Sequence, residues 1–270
     1  MRCAVLGSPI GHSLSPVLHR AAYADLGLDW TYEAIEVDEH DLESFVAGLD
    51  AGWRGLSLTM PLKRVVMPLL DSADPWARAA GAANTVILDH GRRLGHNTDV
   101  PGAVAALKER SEGPYRTAVV LGGGATAASI LLALSELGCR DARLLVRDPD
   151  RAAETLAAVT RHGRGPAVQV GLLTDEVGPA DVVVSTIPAA AQTPDLVTAA
   201  AAAGVVFEVL YDPWPTPLAA AAADGGGTLV GGLDLLVHQA ALQVRLMTGE
   251  APPVATMRAA GERALLSGSR

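Results

Sequence analysis

The residues best placed to do chemistry at a nucleotide lie near the middle of the chain. Gly122-Gly123-Gly124-Ala125-Thr126-Ala127 directly follows the apolar run Ala118-Val119-Val120-Leu121. A buried strand that breaks into glycines and then into a helical pattern lets the backbone turn sharply against a pyrophosphate, with helix N-terminal N–H groups facing its charge. The third glycine of the usual fingerprint is replaced by Ala125 or Thr126, so a tight structural turn or another phosphate ligand fits the same pattern. The next strand ends Val146-Arg147-Asp148, about 20 residues on, where a ribose would lie. An acidic residue there accepts from a free 2′-OH, whereas an arginine pairs with a 2′-phosphate. Both types are present, with Arg151 one turn further on. Two arginines favour NADP, Asp148 keeps NAD open, and solvated charges at a helix start are the bland reading.

Three polar clusters in the first hundred residues supply a second set of reactive side chains. Gly7-Ser8-Pro9-Ile10-Gly11-His12-Ser13-Leu14-Ser15-Pro16 places hydroxyls at Ser13 and Ser15, although Ser before Pro is also an ordinary helix start. Ser57-Leu58-Thr59-Met60-Pro61-Leu62-Lys63 puts a lysine at the start of a helix, where it opposes the macrodipole; a surface lysine is the default and a functional reason the alternative. Gly81-Ala82-Ala83-Asn84-Thr85 and Gly95-His96-Asn97-Thr98-Asp99 flank the turns of a hairpin-like segment, which turn chemistry alone could explain.

The elements that must position these residues repeat strand and helix. Strands are predicted over 3–6, 30–37 and 55–59, with helices over 16–26 and 41–49 and another opening at Pro61. After a helix over 100–110 and a hinge at Ser111-Glu112-Gly113-Pro114, the pattern restarts. Strands follow over 117–121, 142–146, 168–171, 182–185, 205–209 and 228–230, with helices between them, notably 126–137 and 151–159. Further helices cover 233–248 and 254–265. This alternation is the signature of parallel α/β layers. It divides the chain into two α/β domains, residues 1–102 and 103–232, with the C-terminal helices 233–270 packing back onto the first. The second domain reads as a Rossmann-like doubly wound sheet, the first as a mainly parallel sheet, and the chemistry is expected in a cleft between them.

Composition narrows the class. The 270 residues are 49% hydrophobic and 4% aromatic, which suits closely packed layers. A net charge of −9 argues against a nucleic-acid surface or a polybasic membrane patch. Cys3 and Cys139 are far apart and form no metal motif. The apolar run in residues 1–10 is broken by Gly7, Pro9 and Gly11, and no stretch is apolar enough to span a bilayer. A cytoplasmic protein, monomer or homodimer, acting on a small molecule without a metal, is the expectation.

In order, the clusters resemble the shikimate dehydrogenase family: a Ser-x-Ser-Pro loop, Thr-x-Pro-x-Lys, Gly-Ala-x-Asn-Thr, Asn-Thr-Asp and the glycine turn. Tyr211 with Thr216-Pro217-Leu218, and Gly231-Gly232 running to Gln239-Ala240, continue the series. The resemblance runs from residue 5 to 240. It implies reversible NADPH-dependent reduction of 3-dehydroshikimate to shikimate, a step toward chorismate and the aromatic amino acids. It implies Lys63 and Asp99 as the catalytic acid/base pair and Ser13 and Ser15 on the substrate carboxylate. Thr59, Asn84, Asp99, Tyr211 and Gln239 would surround the substrate hydroxyls. The cofactor would be lined by Gly122, Gly123, Gly124, Ala125, Thr126, Arg147, Asp148, Arg151, Thr186, Ile187, Val209 and Gly232. Five positions depart from the family's pattern: Ser57 stands for Asn, Val146 for Asn, Asp148 for Thr, Asp234 for a small residue and Leu235 for Met. Val146 and Asp148 motivate the alternative of an NAD-preferring quinate/shikimate dehydrogenase.

Overall fold

A computed structural model describes residues 1–268; Arg151 lies outside the residues whose side chains it describes. The chain forms two compact units, one comprising Met1–Thr98 with the segment that begins at Leu236, the other Asp99–Leu235.

The first unit opens with β1 (Arg2–Gly7), α1 (Ser15–Asp25), β2 (Thr31–Glu36), α2 (Leu42–Ala47), β3 (Trp53–Leu58) and the single-turn α3 (Leu62–Val65). It continues through the two-residue β4 (Ser72–Ala73), α4 (Pro75–Ala80), β5 (Thr85–Asp89) and β6 (Arg92–His96). The sheet order is β2-β1-β3-β5-β6-β4. Strands β2, β1 and β3 are parallel, whereas β5 runs antiparallel to β3 and to β6. The hairpin closes at His90 and Gly91, with φ of 47° and 76°, the left-handed pair of a type I′ turn that matches the strand twist. Strand β4 was not expected; two residues carry too little periodicity to show in sequence, and pairing with β6 creates it. Strand alternation sends Ala4 and Leu6 to a core with Leu56, Leu58, Leu62 and Val86, and Cys3 and Val5 to an opposite core with Tyr23, Tyr32 and Ile87. In α1, buried Ser15, Leu18, His19, Ala22 and Tyr23 fall at i, i+3, i+4, i+7 and i+8, one helical face.

The second unit contains α5 (Asp99–Arg110), β7 (Thr117–Leu121), α6 (Ala125–Glu136), β8 (Asp141–Val146), α7 (Ala153–His162) and β9 (Ala167–Leu172). Then come β10 (Val182–Ser185), α8 (Pro194–Ala201), β11 (Val205–Glu208), α9 (Pro217–Asp224) and β12 (Thr228–Val230). All six strands are parallel, in the order β12-β11-β10-β7-β8-β9. Strand β7 is central and the order reverses between it and β10, the switch point of a doubly wound sheet. The inner strands are continuous apolar runs because helices cover both faces. A helix between every pair of strands is not what the chain does: residues 173–181 cross from β9 to β10 without one. Gly178, at φ 68°, and Pro179 prevent a helix, and buried Val177 takes over the packing against Val119 and Val183. Arg143 Nη1 pins this crossing by donating to the carbonyls of Glu176 at 2.6 Å and Val177 at 2.9 Å.

The last helices are α10 (Gly232–Thr248) and α11 (Val254–Gly268), and α11 packs on α1. Residues 232–235 of α10 belong to the second unit and the remainder to the first. Among the described residues no helix is long and apolar enough to cross a membrane.

Candidate active site

The mixed sheet of the first unit gathers polar loops at one end. The C-terminal ends of parallel β1 and β3 release the Ser13–Ser15 and Thr59–Lys63 loops. Because β5 is antiparallel to β3 and β6 to β5, Asn84 at the start of β5 and Asn97-Thr98 after β6 reach the same end. Backbone bonds sew the loops together: Ser8 N–H to Met60 O at 3.1 Å, Thr59 N–H to Leu6 O at 2.9 Å, Ala83 N–H to Lys63 O at 2.8 Å and Asn84 N–H to His96 O at 3.1 Å. Gly7 is required here, since a Cβ would meet the Thr59 methyl and the Met60 carbonyl. Ser13 Oγ lies 3.4 Å from the Ser15 N–H, at the first residue of α1.

Asn84 is the centre of this polar end. Its Nδ2 donates to Thr98 Oγ1 at 2.8 Å and to Gln239 Oε1 at 3.2 Å, and its Oδ1 accepts from the Thr98 N–H at 2.9 Å and from Thr85 Oγ1 at 2.9 Å. Gln243, one turn after Gln239 in α10, donates to Thr85 Oγ1 at 2.9 Å and accepts from Ser57 Oγ at 2.9 Å. Ser57 in turn accepts from the Tyr32 hydroxyl at 2.6 Å. The shortened side chain at position 57 is therefore bound into an interior relay. Sequence reasoning missed Gln243 and Tyr32, and named Thr98 only within the Asn97-Thr98-Asp99 cluster without a role of its own. The i, i+4 spacing of Gln239 and Gln243 was the available signal for the first.

Behind the relay lies His19, fully buried and stacked on Tyr32 with ring centroids 3.9 Å apart. Its Nδ1 is 2.9 Å from the Ser15 carbonyl, which makes Nδ1 the protonated nitrogen and leaves Nε2 a buried acceptor without a hydrogen-bond partner. Burial depresses the imidazole pKa to about 4, against a weaker opposing effect of the Ser15 carbonyl.

The second unit presents its candidates along one edge, since every strand of a parallel sheet ends on the same side. Gly122, after β7, has φ 104°, and a Cβ there would collide with Thr186 Oγ1. Thr186, after β10, donates from that hydroxyl to Leu121 O at 2.8 Å. Gly122 thus sits against the neighbouring strand end at the switch point, where only glycine fits. Gly124, at φ −84°, caps α6 with open space beside it. Thr155 of α7 donates to Gly123 O at 2.8 Å and holds the turn from below; no sequence signal singled it out. Ala125 and Thr126 form the first turn of α6, and Ile187 is buried beside Thr186. Arg147 and Asp148 are exposed after β8, and the Asp148 carboxylate accepts from the Asp150 N–H at 3.1 Å, capping a 3₁₀ turn. Val209 follows β11, its N–H on Ser185 O at 3.1 Å. Gly232 presses on Leu210, whose carbonyl a Cβ would strike. Asp99 is buried at the start of α5 and Tyr211 is half-buried after β11. Among the described residues no group of three or more His, Cys, Asp or Glu is placed to hold a metal ion.

Residues 5–86 match the family model of the shikimate dehydrogenase substrate binding domain, and residues 232–260 that of the shikimate 5′-dehydrogenase C-terminal domain. The chain is 35% identical over 262 residues to the shikimate dehydrogenase (NADP(+)) of Bacillus cereus, covering 94% of this chain and 95% of that one. It belongs to the shikimate dehydrogenase family. Among solved structures, Mycobacterium tuberculosis shikimate dehydrogenase superposes with a TM-score of 0.86 at 39% identity, over 97% of this chain and 99% of that one. A Thermus thermophilus shikimate 5-dehydrogenase, solved in complex with NADP(H) and shikimate, superposes at 0.81 with 33% identity over 98% of this chain and all of that one. Family membership accounts for the pairing of a polar-ended mixed sheet with a doubly wound parallel sheet in one chain.

Proposed function

We propose that this chain is an NADP-dependent shikimate dehydrogenase, interconverting 3-dehydroshikimate and shikimate on the route to chorismate and the aromatic amino acids. The observation that carries the reading is the gathering of Ser13, Ser15, Thr59, Lys63, Asn84 and Gln239 at one end of the first sheet, in a chain of this family. Substrate binding is assigned to the first unit and NADP to the second, in a cytoplasmic enzyme that works as a monomer or homodimer.

The second unit fits a dinucleotide: Gly124 leaves open space at the start of α6, while Gly122 and Gly232 let the backbone close against Thr186 and Leu210, where a side chain would collide. Gly122–Thr126 would cradle the pyrophosphate and Arg147 would meet the 2′-phosphate, with Thr186, Ile187, Val209 and Gly232 lining the rest. The bound nicotinamide supplies or accepts a hydride. Reduction of a ketone leaves an oxygen that must be protonated, and Lys63 delivers that proton while its charge stabilises the developing alkoxide. Asp99 orients the ammonium and holds a substrate hydroxyl. Ser13 and Ser15 hold the carboxylate at the start of α1, where helix N–H groups assist. Thr59, Asn84, Tyr211 and Gln239 take the ring hydroxyls, one of which exchanges with the 3.2 Å Asn84–Gln239 bond. A mismatched hydroxyl in such a site costs about 1–3 kcal/mol, which discriminates between related ring acids.

Initial rates with 3-dehydroshikimate and 3-dehydroquinate, each with NADPH and NADH, test this reading. Preference for 3-dehydroshikimate with NADPH is expected; efficient turnover of the quinate pair with NADH would replace it. Lys63→Ala should keep shikimate binding and lower kcat by about two to four orders of magnitude. Unchanged turnover would remove Lys63 from the mechanism.

A further inference from the structure

One ionisable side chain outside the assigned residues holds several segments of the second unit together. Glu208 ends β11 with no exposed surface. Its Oε2 accepts from Gln192 Nε2 at 2.6 Å and from Thr216 Oγ1 at 2.9 Å, and its Oε1 accepts from the Leu210 N–H at 3.1 Å. Gln192 Nε2 also lies 3.4 Å from Ser185 Oγ, and Gln192 Oε1 accepts from the Leu218 N–H at 2.9 Å. Thr216 caps α9 by accepting from the Ala219 N–H at 3.1 Å. The end of β10, the turn at Gln192, the strand exit at Leu210 and the start of α9 therefore converge on one carboxylate.

Burial pushes this carboxyl above the usual range, and the hydrogen bonds from Leu210, Thr216, Gln192 and Ser185 oppose that. A buried charge is poorly justified as packing, since an apolar residue fills such space at lower desolvation cost. What it supplies is geometry: three donors on separate segments must point at two oxygens. Those segments adjoin Thr186-Ile187, Val209 and Tyr211. Leu210, held through its N–H, presents the carbonyl against which Gly232 turns.

We propose that Glu208 is a positioning residue for the cofactor, fixing the backbone of Thr186–Ile187 and Val209–Tyr211 and, through Leu210, the seat of Gly232. The proposal rests on the dehydrogenase reading above. Glu208→Gln puts an amide where only acceptors serve, whereas the exchanged pair Glu208→Gln with Gln192→Glu restores the donor–acceptor contact between positions 208 and 192 and keeps an oxygen for the Leu210 N–H, losing only the acceptor for Thr216.

The test is steady-state kinetics on both variants with melting curves alongside. Glu208→Gln should raise the KM for NADPH about tenfold or more and leave the KM for 3-dehydroshikimate within about twofold. The exchanged pair should recover part of the NADPH loss. Unchanged NADPH KM, or equal rises in both KM values without rescue, would overturn the proposal. Should Glu208→Gln fail to fold, Thr216→Val removes one donor together with the α9 cap and should still raise the NADPH KM selectively; an unselective change overturns the proposal too. Wild-type assays come first: no turnover with NADPH removes the dehydrogenase reading and this role together, whereas active wild type with an indifferent Glu208→Gln removes only the role of Glu208.

Discussion

Arg110 grips Asp234 with two parallel hydrogen bonds, Nη2 to Oδ1 at 2.8 Å and Nε to Oδ2 at 3.2 Å, joining the last turn of α5 to the first turn of α10. The carboxylate also accepts from the Gly231 N–H at 3.0 Å, beside the glycine that seats against Leu210. Asp234 is thus a clamp on the glycine turn as well as a charge suited to a helix start. The Arg110 side chain is 47% exposed and that of Asp234 only 6%. Removing the arginine strands a buried charge, whereas removing the charge leaves a guanidinium that water can solvate. Arg110→Leu should therefore cost about 2 kcal/mol and lower Tm by roughly 4–8 °C, and Asp234→Asn, which keeps an acceptor for Gly231, under about 1 kcal/mol. Thermal melts of the two variants check the asymmetry; equal losses would contradict it.

Two of the three glycines of the turn after β7, Gly122 and Gly124, should separate fold from ligand. Gly122→Ala forces a side chain into φ 104° and onto Thr186 Oγ1, and should cost about 2 kcal/mol or more. Gly124→Ala, with φ −84° and open space, should change stability by less than about 0.5 kcal/mol. It should still raise the NADPH KM several-fold by crowding the pyrophosphate. Melting temperature and cofactor KM on the same preparations decide between them.

On the proposed reading, Asp148 after β8 would oppose the 2′-phosphate charge that Arg147 would attract. Asp148→Asn keeps an acceptor for the Asp150 N–H and removes the charge, so the turn should stay intact. NADPH should then bind several-fold more tightly with little change for NADH, and the gain should shrink as salt rises. Equal gains for both cofactors would place Asp148 away from the 2′-phosphate.

His19 should shape the acid limb of stability. Its pKa is about 4 in the fold and about 6.5 unfolded, so between these values the unfolded chain binds the extra proton. Its contribution is complete above pH 6.5 and is lost as pH falls toward 4, by up to about 3 kcal/mol. Urea midpoints of His19→Gln should start lower at pH 7, from loss of the Tyr32 stack, yet decline less steeply between pH 6.5 and 4. Parallel curves for the two proteins would refute the assignment.

Sequence by itself determined most of the elements, though not β4 or the helix-free crossing from β9 to β10, and the order of the polar clusters. Apolar runs such as Val182–Val184 announce buried parallel strands, because helices on both faces demand continuous hydrophobicity. Glycines after β7, and Ser, Thr, Asn and Lys in fixed order, carry the family resemblance because ligand-facing loops need particular side chains in a particular sequence. Glu208 passed as part of the strand predicted over 205–209, because nothing in the local pattern shows which segments meet it.

Tertiary structure decided which residues meet. The antiparallel turn at His90-Gly91 brings Asn84 and Thr98 to the end of the sheet that carries Thr59 and Lys63, and one-dimensional spacing does not encode strand direction. Only packing shows that Ser57 is bound by Tyr32 and Gln243 and that Gly122 has Thr186 against it, while Gly124 has open space. Hydrogen bonds between segments far apart in the chain depend on register and burial, which are properties of the assembled sheet. Local sequence names the groups that can react, and the fold assigns their partners.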